Sequence, residues 1–244
     1  MRRYLRVVDP DDLLPKWSPD MTTFVLIPGA CHGGWWFEPL ARRLREHGHQ
    51  AYSVTLTGLG DRAHLMTASV NLDTHIQDVI SLLENEQIED AVLVGHSYAG
   101  MVVTGAADRA ADRIDALVYV DAFVPGDGDS AWYLTNDAQR RWYIDGASAD
   151  GLGIAPMPFF DPRSTPHPLA SAVQRLRLVD PMRKFRRRDY LYAAEFPESP
   201  FASTYERLRD DPDWHAHALK SGHNVMKDAL EELLRILLET VPTS

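Results

Sequence analysis

One serine of this chain lies in a sequence pattern that could make it a nucleophile. Residues 92–103 read VLVGHSYAGMVV, an apolar strand that runs into a turn of small residues and continues as an apolar helix. Such a turn exposes the serine Oγ and aims backbone N–H groups at an incoming oxygen. Ser97 stands at the centre of a G-x-S-x-G pattern in which Ala99 replaces the second glycine, a variant that the small alanine side chain should allow. A chance serine in a Gly/Ala turn is the alternative, and only the context decides.

A serine hydroxyl needs a base, and His223 is the candidate. It lies in the short sequence SGHN at residues 221–224, directly before the last apolar helix. An isolated histidine would be interpreted as a surface residue. Combined with the serine turn, however, its position predicts a general base that takes the Ser97 proton.

The base needs a carboxylate that holds its ring. Asp121 directly follows the apolar run at residues 116–120, which places it at the C-terminal edge of the predicted sheet, where the sites of open α/β folds gather. Glu195 and Glu198 follow the next strand and compete for the same role. A helix cap or a loop hydrogen bond is the alternative role for Asp121.

Two backbone N–H groups should hold the developing oxyanion. Tyr98 follows the nucleophile directly, and Ala30 lies in the loop PGACHGGW at residues 28–35, after the first strand. The glycines of this loop leave its backbone accessible, and the loop leads into a helix. The neighbouring Cys31 and His32 do not form a second site in this interpretation, because adjacent side chains on a loop rarely converge.

The elements that would position these groups alternate along the chain. Strand-like runs occur at residues 23–27, 51–55, 91–94, 116–120 and 190–192, with amphipathic helical patterns between several of them. This alternation predicts a mostly parallel α/β sheet flanked by helices.

The pattern breaks at residues 125–187, which we interpret as an inserted lid on a core formed by residues 1–124 and 188–244. A stretch of this length needs structure of its own. It is rich in aromatic residues, among them Trp132 and Trp142. These rings either anchor the lid or line an apolar substrate pocket, and we take Trp132 and Trp142 as substrate-binding candidates.

Composition excludes several classes of function. A net charge of −10 argues against a nucleic-acid partner. The basic run RKFRRR at residues 183–188 is interpreted as a solvated face, with steering of an anionic substrate as the alternative.

Cys31 is the single cysteine, which excludes an intrachain disulfide and a cysteine-based metal site. Asp and Pro residues at positions 9–12 replace the apolar stretch of a signal peptide, and no run has membrane-spanning length, so a cytoplasmic protein is expected.

Four motifs together resemble the α/β-hydrolase superfamily, in particular the small esterase branch that includes plant methyl-ester esterases and hydroxynitrile lyases. They are IPGACHGGW at 27–35, LTGLGD at 56–61, GHSYAG at 95–100 and GH at 222–223, and the resemblance covers most of residues 22–241. It implies that Ser97 attacks an acyl carbonyl, that His223 carries the proton, and that Ala30 and Tyr98 hold the oxyanion. It implies no metal and no organic cofactor.

Two departures from the branch refine this expectation. Hydroxynitrile lyases carry a threonine in the oxyanion loop and a lysine after the histidine, where this chain has Gly29, a candidate substrate-binding residue, and Asn224. This favours an esterase. Most of the branch also has an acidic aspartate beyond the strand at 190–192, where this chain reads AAEFPE. Some haloalkane dehalogenases place the acid one strand earlier, at the position of Asp121, which we therefore prefer to Glu195.

The expected function is that of a serine hydrolase that cleaves a small-to-medium, partly aromatic ester through a Ser-His-acid triad and an acyl-enzyme. Its expected partner is a small-molecule ester. One alternative is a protein of the same fold that binds a ligand with little turnover, motivated by the missing usual acid. Another is an enzyme of secondary metabolism that cleaves a C–C bond or tailors a product with the same site.

Overall fold

Six parallel strands form the central sheet of the protein. The structure, a computed structural model, describes residues 21–180 and 183–242. The sheet has the order β2-β1-β3-β4-β7-β8. Its strands are β1 Thr23–Ile27, β2 Gln50–Ser53, β3 Ala91–His96, β4 Ile114–Val120, β7 Arg187–Ala193 and β8 His215–Leu219. The predicted α/β architecture is thereby confirmed. Since all strands run the same way, their carboxyl ends share one edge, and β3 and β4 lie side by side there with His96 opposite Val120.

Helices cover both faces of the sheet. The long ones are α1 Glu38–Glu46, α2 Leu72–Asn85, α3 Ala99–Arg109 and α9 Leu230–Leu238, and the short ones near the site are α7 Ala202–Leu208 and α8 Val225–Asp228. Side chains of a strand alternate between the two faces. Accordingly Val25 packs with the residues of α2 and α3, whereas its neighbour Phe24 packs with those of α1 and α9. The central strand β3 is buried on both faces, which explains its continuous apolar sequence.

Residues 125–187 contain secondary structure of their own within their described part. The elements are the helices α4 Ala131–Leu134, α5 Asp137–Asp145 and α6 Leu169–Val173, and the two-residue strands β5 Gly153–Ile154 and β6 His167–Pro168. The strands pair in antiparallel fashion, with Ile154 opposite His167. A small apolar cluster around Tyr143 includes Ile154 of β5, and Trp132 and Trp142 pack against it. The assignment of these residues as a lid stays a prediction.

The sequence pattern did not reveal strand β8. Its sequence, HAHAL, alternates histidine with alanine and lacks the β-branched residues and the Phe, Tyr and Trp side chains that favour strands. It lies at the edge of the sheet, where His217 Nε2 contacts the buried carboxylate of Asp189 at 2.8 Å. The strand matters because its end leads directly into the turn that carries His223.

The basic run at residues 183–188 forms ion pairs with nearby aspartates. Arg186 binds Asp115 at 2.5 Å, and Lys184 binds Asp213 at 2.9 Å. These pairs support the interpretation of the run as a solvated face. Among the described helices, none combines the length and apolar character needed to cross a bilayer. The charge pattern of residues 9–12 lies outside the described residues.

Candidate active site

Ser97 occupies a strained turn between β3 and α3. Its φ is 56°, in the left-handed region that L side chains seldom adopt. The turn is held on both sides, because Ser97 N–H donates to Val120 O at 3.2 Å and Phe123 N–H donates to Ser97 O at 3.2 Å. These bonds fix the serine against the end of β4, so that its side chain lies at the carboxyl edge of the sheet.

The space around the turn explains its small residues. A Cβ on Gly100 would lie 1.9 Å from Phe123 O, and a Cβ on Gly95 would lie 2.6 Å from Val103 Cγ2. Both positions therefore require glycine. Ala99, in contrast, begins α3 and its methyl group packs in the core. The glycine that this turn needs stands one position later than in the usual pattern.

Ser97, His223 and Asp121 form one hydrogen-bonded chain. His223 Nε2 lies 3.1 Å from Ser97 Oγ, and His223 Nδ1 lies 2.6 Å from Asp121 Oδ2. An ionised carboxylate only accepts, so the ring proton stands on Nδ1 and leaves Nε2 to accept the serine proton. This is the tautomer that a general base requires.

Asp121 is held rigidly for this contact. It is fully buried, its φ is 43°, and its Oδ1 accepts a bond from Ala193 N–H at 3.1 Å. Its own N–H donates to Leu191 O at 2.6 Å, so both β4 and β7 position the carboxylate. Glu195, the alternative acid, is exposed, and its backbone N–H pairs with Ser221 O. Of these two carboxylates, only Asp121 contacts His223 within the described part of the chain.

The ring and backbone of His223 have further contacts that the sequence did not reveal. Phe196 and Phe201 stack on the imidazole, with centroids at 5.0 and 5.7 Å. His96 Nε2–H donates to His223 O at 2.9 Å, and the His96 ring stacks on Trp36 with centroids 4.4 Å apart. His96 therefore ties the histidine turn to the serine turn. Its position directly before Ser97 is the one signal that could have suggested this role.

The candidate oxyanion donors lie close to the serine. A Cβ on Gly29 would come within 2.9 Å of Ser97 Cβ, so the loop before Ala30 passes directly against Ser97. Any side chain at position 29 would therefore displace either the loop or Ser97. Within the described residues, neither Ala30 N–H nor Tyr98 N–H donates to a backbone acceptor. Both groups thus remain free to bind an oxyanion.

A cavity of about 400 Å³ opens above Ser97 and His223. Of the three substrate-binding candidates, Gly29 and Trp142 line it and Trp132 does not. Both tryptophans pack against Tyr143, with ring centroids 5.1 Å away for Trp142 and 6.2 Å away for Trp132, so the ring of Trp132 anchors the segment only. The other large apolar side chains of the cavity wall are Trp35, Trp36, Met157, Phe159, Phe160 and Phe196, and the amides are Asn136, Gln139 and Asn224.

Residues 21–180 and 183–242 contain no group of three or more His, Cys, Asp or Glu side chains that could hold a metal ion.

Comparisons with known proteins agree with this geometry. The profile of the alpha/beta hydrolase family matches residues 24–239. This chain belongs to that family.

Among the relatives of this hydrolase, the carbendazim-hydrolyzing esterase of Nocardioides sp. (strain SG-4G) is 38% identical over 234 residues, which covers 87% of this chain and 97% of that protein. Salicylic acid-binding protein 2 of Nicotiana tabacum is 33% identical over 119 residues, covering 48% of this chain and 46% of that protein. The solved structure of an extracellular alpha/beta-hydrolase from a Paenibacillus species superposes with a TM-score of 0.78 at 21% identity, over 91% of this chain and 100% of that chain. The predicted resemblance to plant methylesterases is confirmed.

Buried histidines near the site give the hydrolase a stability that depends on pH. Burial lowers the pKa of His75 to about 4, and it lowers the pKa of His96 and His167 well below the usual 6.5. Below pH 6.5 the unfolded chain therefore binds protons that the folded chain does not, and the free energy of unfolding falls as the pH drops toward 4. We expect a loss of about 2 kcal/mol from His75 between pH 7 and pH 5, with further losses in the same direction from His96 and His167.

Urea unfolding at pH 7 and pH 5 measures this loss. The variant His75→Asn should lose about 2 kcal/mol of the pH dependence, because one of the three groups no longer titrates. A free energy of unfolding that is the same at both pH values would contradict the expectation.

Proposed function

We propose that this α/β-hydrolase is a carboxylic ester hydrolase that cleaves small-to-medium, partly aromatic esters through Ser97, His223 and Asp121. The observation that carries the proposal is the continuous hydrogen-bonded chain from Asp121 Oδ2 through the His223 ring to Ser97 Oγ. It supplies a nucleophile, a base in the correct tautomer and a buried anion that stabilises the imidazolium.

In the proposed mechanism His223 Nε2 takes the Ser97 proton while Oγ attacks the ester carbonyl. The N–H groups of Ala30 and Tyr98 bind the oxyanion of the tetrahedral intermediate. His223 then gives its proton to the leaving alkoxide, and an acyl-enzyme remains on Ser97. A water molecule, deprotonated by the same histidine, attacks the acyl-enzyme and releases the acid and the free serine.

The walls of the cavity support the proposed substrate class. Six aromatic side chains contribute to the wall beside its amides, histidines and the carboxylates of Asp161 and Glu198, so the cavity favours a partly aromatic substrate of limited size. The named substrates of two relatives, carbendazim and, for an esterase of Vitis vinifera, methyl jasmonate, are small ring compounds. A methyl ester of a ring compound is therefore the first substrate to test.

The alternative of a ligand-binding protein with little turnover was motivated by the missing acid beyond β7. The contact of Asp121 with His223 supplies a carboxylate from β4 instead, which removes that motivation. For C–C bond cleavage, the alternative in secondary metabolism, the cavity provides no particular support.

Turnover of methyl benzoate and methyl butyrate tests the substrate class, and Trp142 tests the role of the cavity. We expect Trp142→Leu to lower kcat/KM for methyl benzoate by roughly 3- to 10-fold relative to methyl butyrate, because an aromatic contact is worth about 0.5–1.5 kcal/mol beyond its buried area. Trp132→Leu, the same change in a tryptophan outside the cavity wall, should leave the ratio unchanged. Equal effects of the two variants on the ratio would exclude this pocket as the source of selectivity.

A further inference from the structure

The oxyanion loop contains a strained turn at residues 29–32. His32 N–H donates to Gly29 O at 3.3 Å, which closes the turn, and Cys31, its third residue, has a φ of 68°. A positive φ at this position defines a type II turn and is the usual place of glycine. Cys31 is completely buried, so contacts with solvent cannot stabilise its strained backbone. The surroundings must therefore hold this turn in its strained form.

Two histidines hold the central peptide of the turn from its two sides. His32 Nδ1–H donates to Ala30 O at 2.6 Å, and Cys31 N–H donates to His167 Nδ1 at 3.4 Å. The Cys31 carbonyl is bound as well, by Thr165 N–H at 3.0 Å. Relaxation to a type I turn would rotate the central peptide and break both histidine contacts. Without His167, moreover, the buried Cys31 N–H would have no acceptor in the described part of the chain.

The proton positions of His167 follow from its partners. Its Nδ1 accepts from Cys31 and therefore carries no proton, so the proton stands on Nε2. Nε2–H donates to Ser171 Oγ at 2.9 Å, and the Ser171 hydroxyl donates to Pro168 O at 2.8 Å. Both side chains are buried. Burial lowers the pKa of His167 well below 6.5 and so keeps the ring in the neutral form that this arrangement requires.

The same histidine also packs against the residue that carries the second oxyanion donor. Its ring meets the ring of Tyr98 edge to face, with centroids 4.4 Å apart. The Tyr98 hydroxyl donates to His75 Nδ1 at 2.9 Å, and His75 Nε2–H donates to Thr57 O at 2.9 Å. One buried cluster, formed by His75, Tyr98, His167 and Ser171, thus includes one donor residue, Tyr98, and bonds the N–H of Cys31, which directly follows the other, Ala30.

We propose that His167 is a positioning residue for the oxyanion hole, which it aligns through the Cys31 peptide and the Tyr98 ring, with Ser171 fixing its tautomer. The inference rests on the proposed function. His167 and Thr165 belong to the segment 125–187, so this segment contributes to the alignment of the donors as well as to the cavity. The role is one of transition-state stabilisation and not of substrate binding.

The test compares His167→Leu, which removes the acceptor for Cys31 N–H, with His167→Asn, whose Oδ1 can replace Nδ1. We expect His167→Leu to lower kcat by about 10- to 100-fold with KM nearly unchanged, because misplacement of an oxyanion donor weakens only transition-state contacts. The inhibition constant of a trifluoromethyl ketone, which forms a bound oxyanion, should rise by the same factor. His167→Asn should recover most of both effects.

Two further measurements separate alignment from folding. Amide exchange of Cys31, followed by ¹⁵N NMR, should be fast in His167→Leu and slow in the wild type and in His167→Asn. Ser130→Ala is the matched control, since it removes a helix cap of the same segment that does not touch the oxyanion loop. It should leave kcat per titrated active site unchanged.

Opposite results are easily distinguished. If His167→Leu keeps the wild-type kcat, inhibition constant and Cys31 exchange, or if His167→Asn is as impaired as His167→Leu, the positioning role is wrong while the proposed function stands. If Ser97→Ala turns over esters as the wild type does, the proposed function fails and the positioning role fails with it.

Discussion

Replacing Ser97 with alanine should lower kcat for p-nitrophenyl butyrate by about 10⁵-fold, leaving only the rate that substrate binding and the oxyanion donors supply. The expectation follows from the 3.1 Å contact of Ser97 Oγ with His223 Nε2, since no other hydroxyl of the described residues is bonded to this ring. Release of p-nitrophenol, followed by absorbance at equal concentrations of folded protein, measures the loss.

Ser203→Ala is a suitable control for this experiment. Ser203 is exposed on α7 and lies outside the cavity above the triad. Its replacement should leave kcat within about twofold of the wild type, because substitutions of exposed residues away from the active site and the core have small effects. Turnover that survives in Ser97→Ala at a similar level would exclude Ser97 as the nucleophile.

The second large effect is expected from replacement of Asp121, the carboxylate bonded to His223. Asp121→Asn should lower kcat by about 10⁴-fold, because an amide can donate to His223 Nδ1 and so favours the wrong tautomer of the ring. Glu195→Gln, the corresponding change in the competing acid, should have little effect, since the Glu195 side chain is exposed. Steady-state kinetics of the two isosteric variants with the same ester decide between the two acids.

The two variants must also be compared for folding, so that a loss of activity can be attributed to the site. Circular dichroism and thermal unfolding show whether Asp121→Asn retains the fold, which the bond to Ala193 N–H should allow because an amide oxygen also accepts. Loss of activity in Glu195→Gln but not in Asp121→Asn would assign the role to Glu195.

The sequence allowed prediction of those site residues whose signals are local. Ser97 and Asp121 each follow an apolar strand directly, so the parallel sheet brings them to one edge without further information. The absence of an aspartate beyond β7 then left Asp121 as the preferred partner of His223. The structure brings these three residues together as the sequence predicted.

The supporting histidines could not be predicted, because their partners lie far away along the chain. His167 contacts Cys31 across 136 residues, and His96 contacts His223 across 127. No periodic pattern encodes such contacts. Trp132 and Trp142 show the same limit: both are aromatic residues of one segment and both pack against Tyr143, yet only the packing of α4 and α5 decides that Trp142 also lines the cavity and that Trp132 does not.

The central claim is that Ser97 forms a covalent acyl-enzyme, and reaction with a fluorophosphonate tests it most directly. The intact mass of the wild type should rise by one phosphonyl group per chain, with the label on the peptide that contains Ser97. Ser97→Ala should remain unlabelled, and Asp121→Asn should be labelled far more slowly. A label on another residue, or an unmodified chain that loses no esterase activity, would contradict the account.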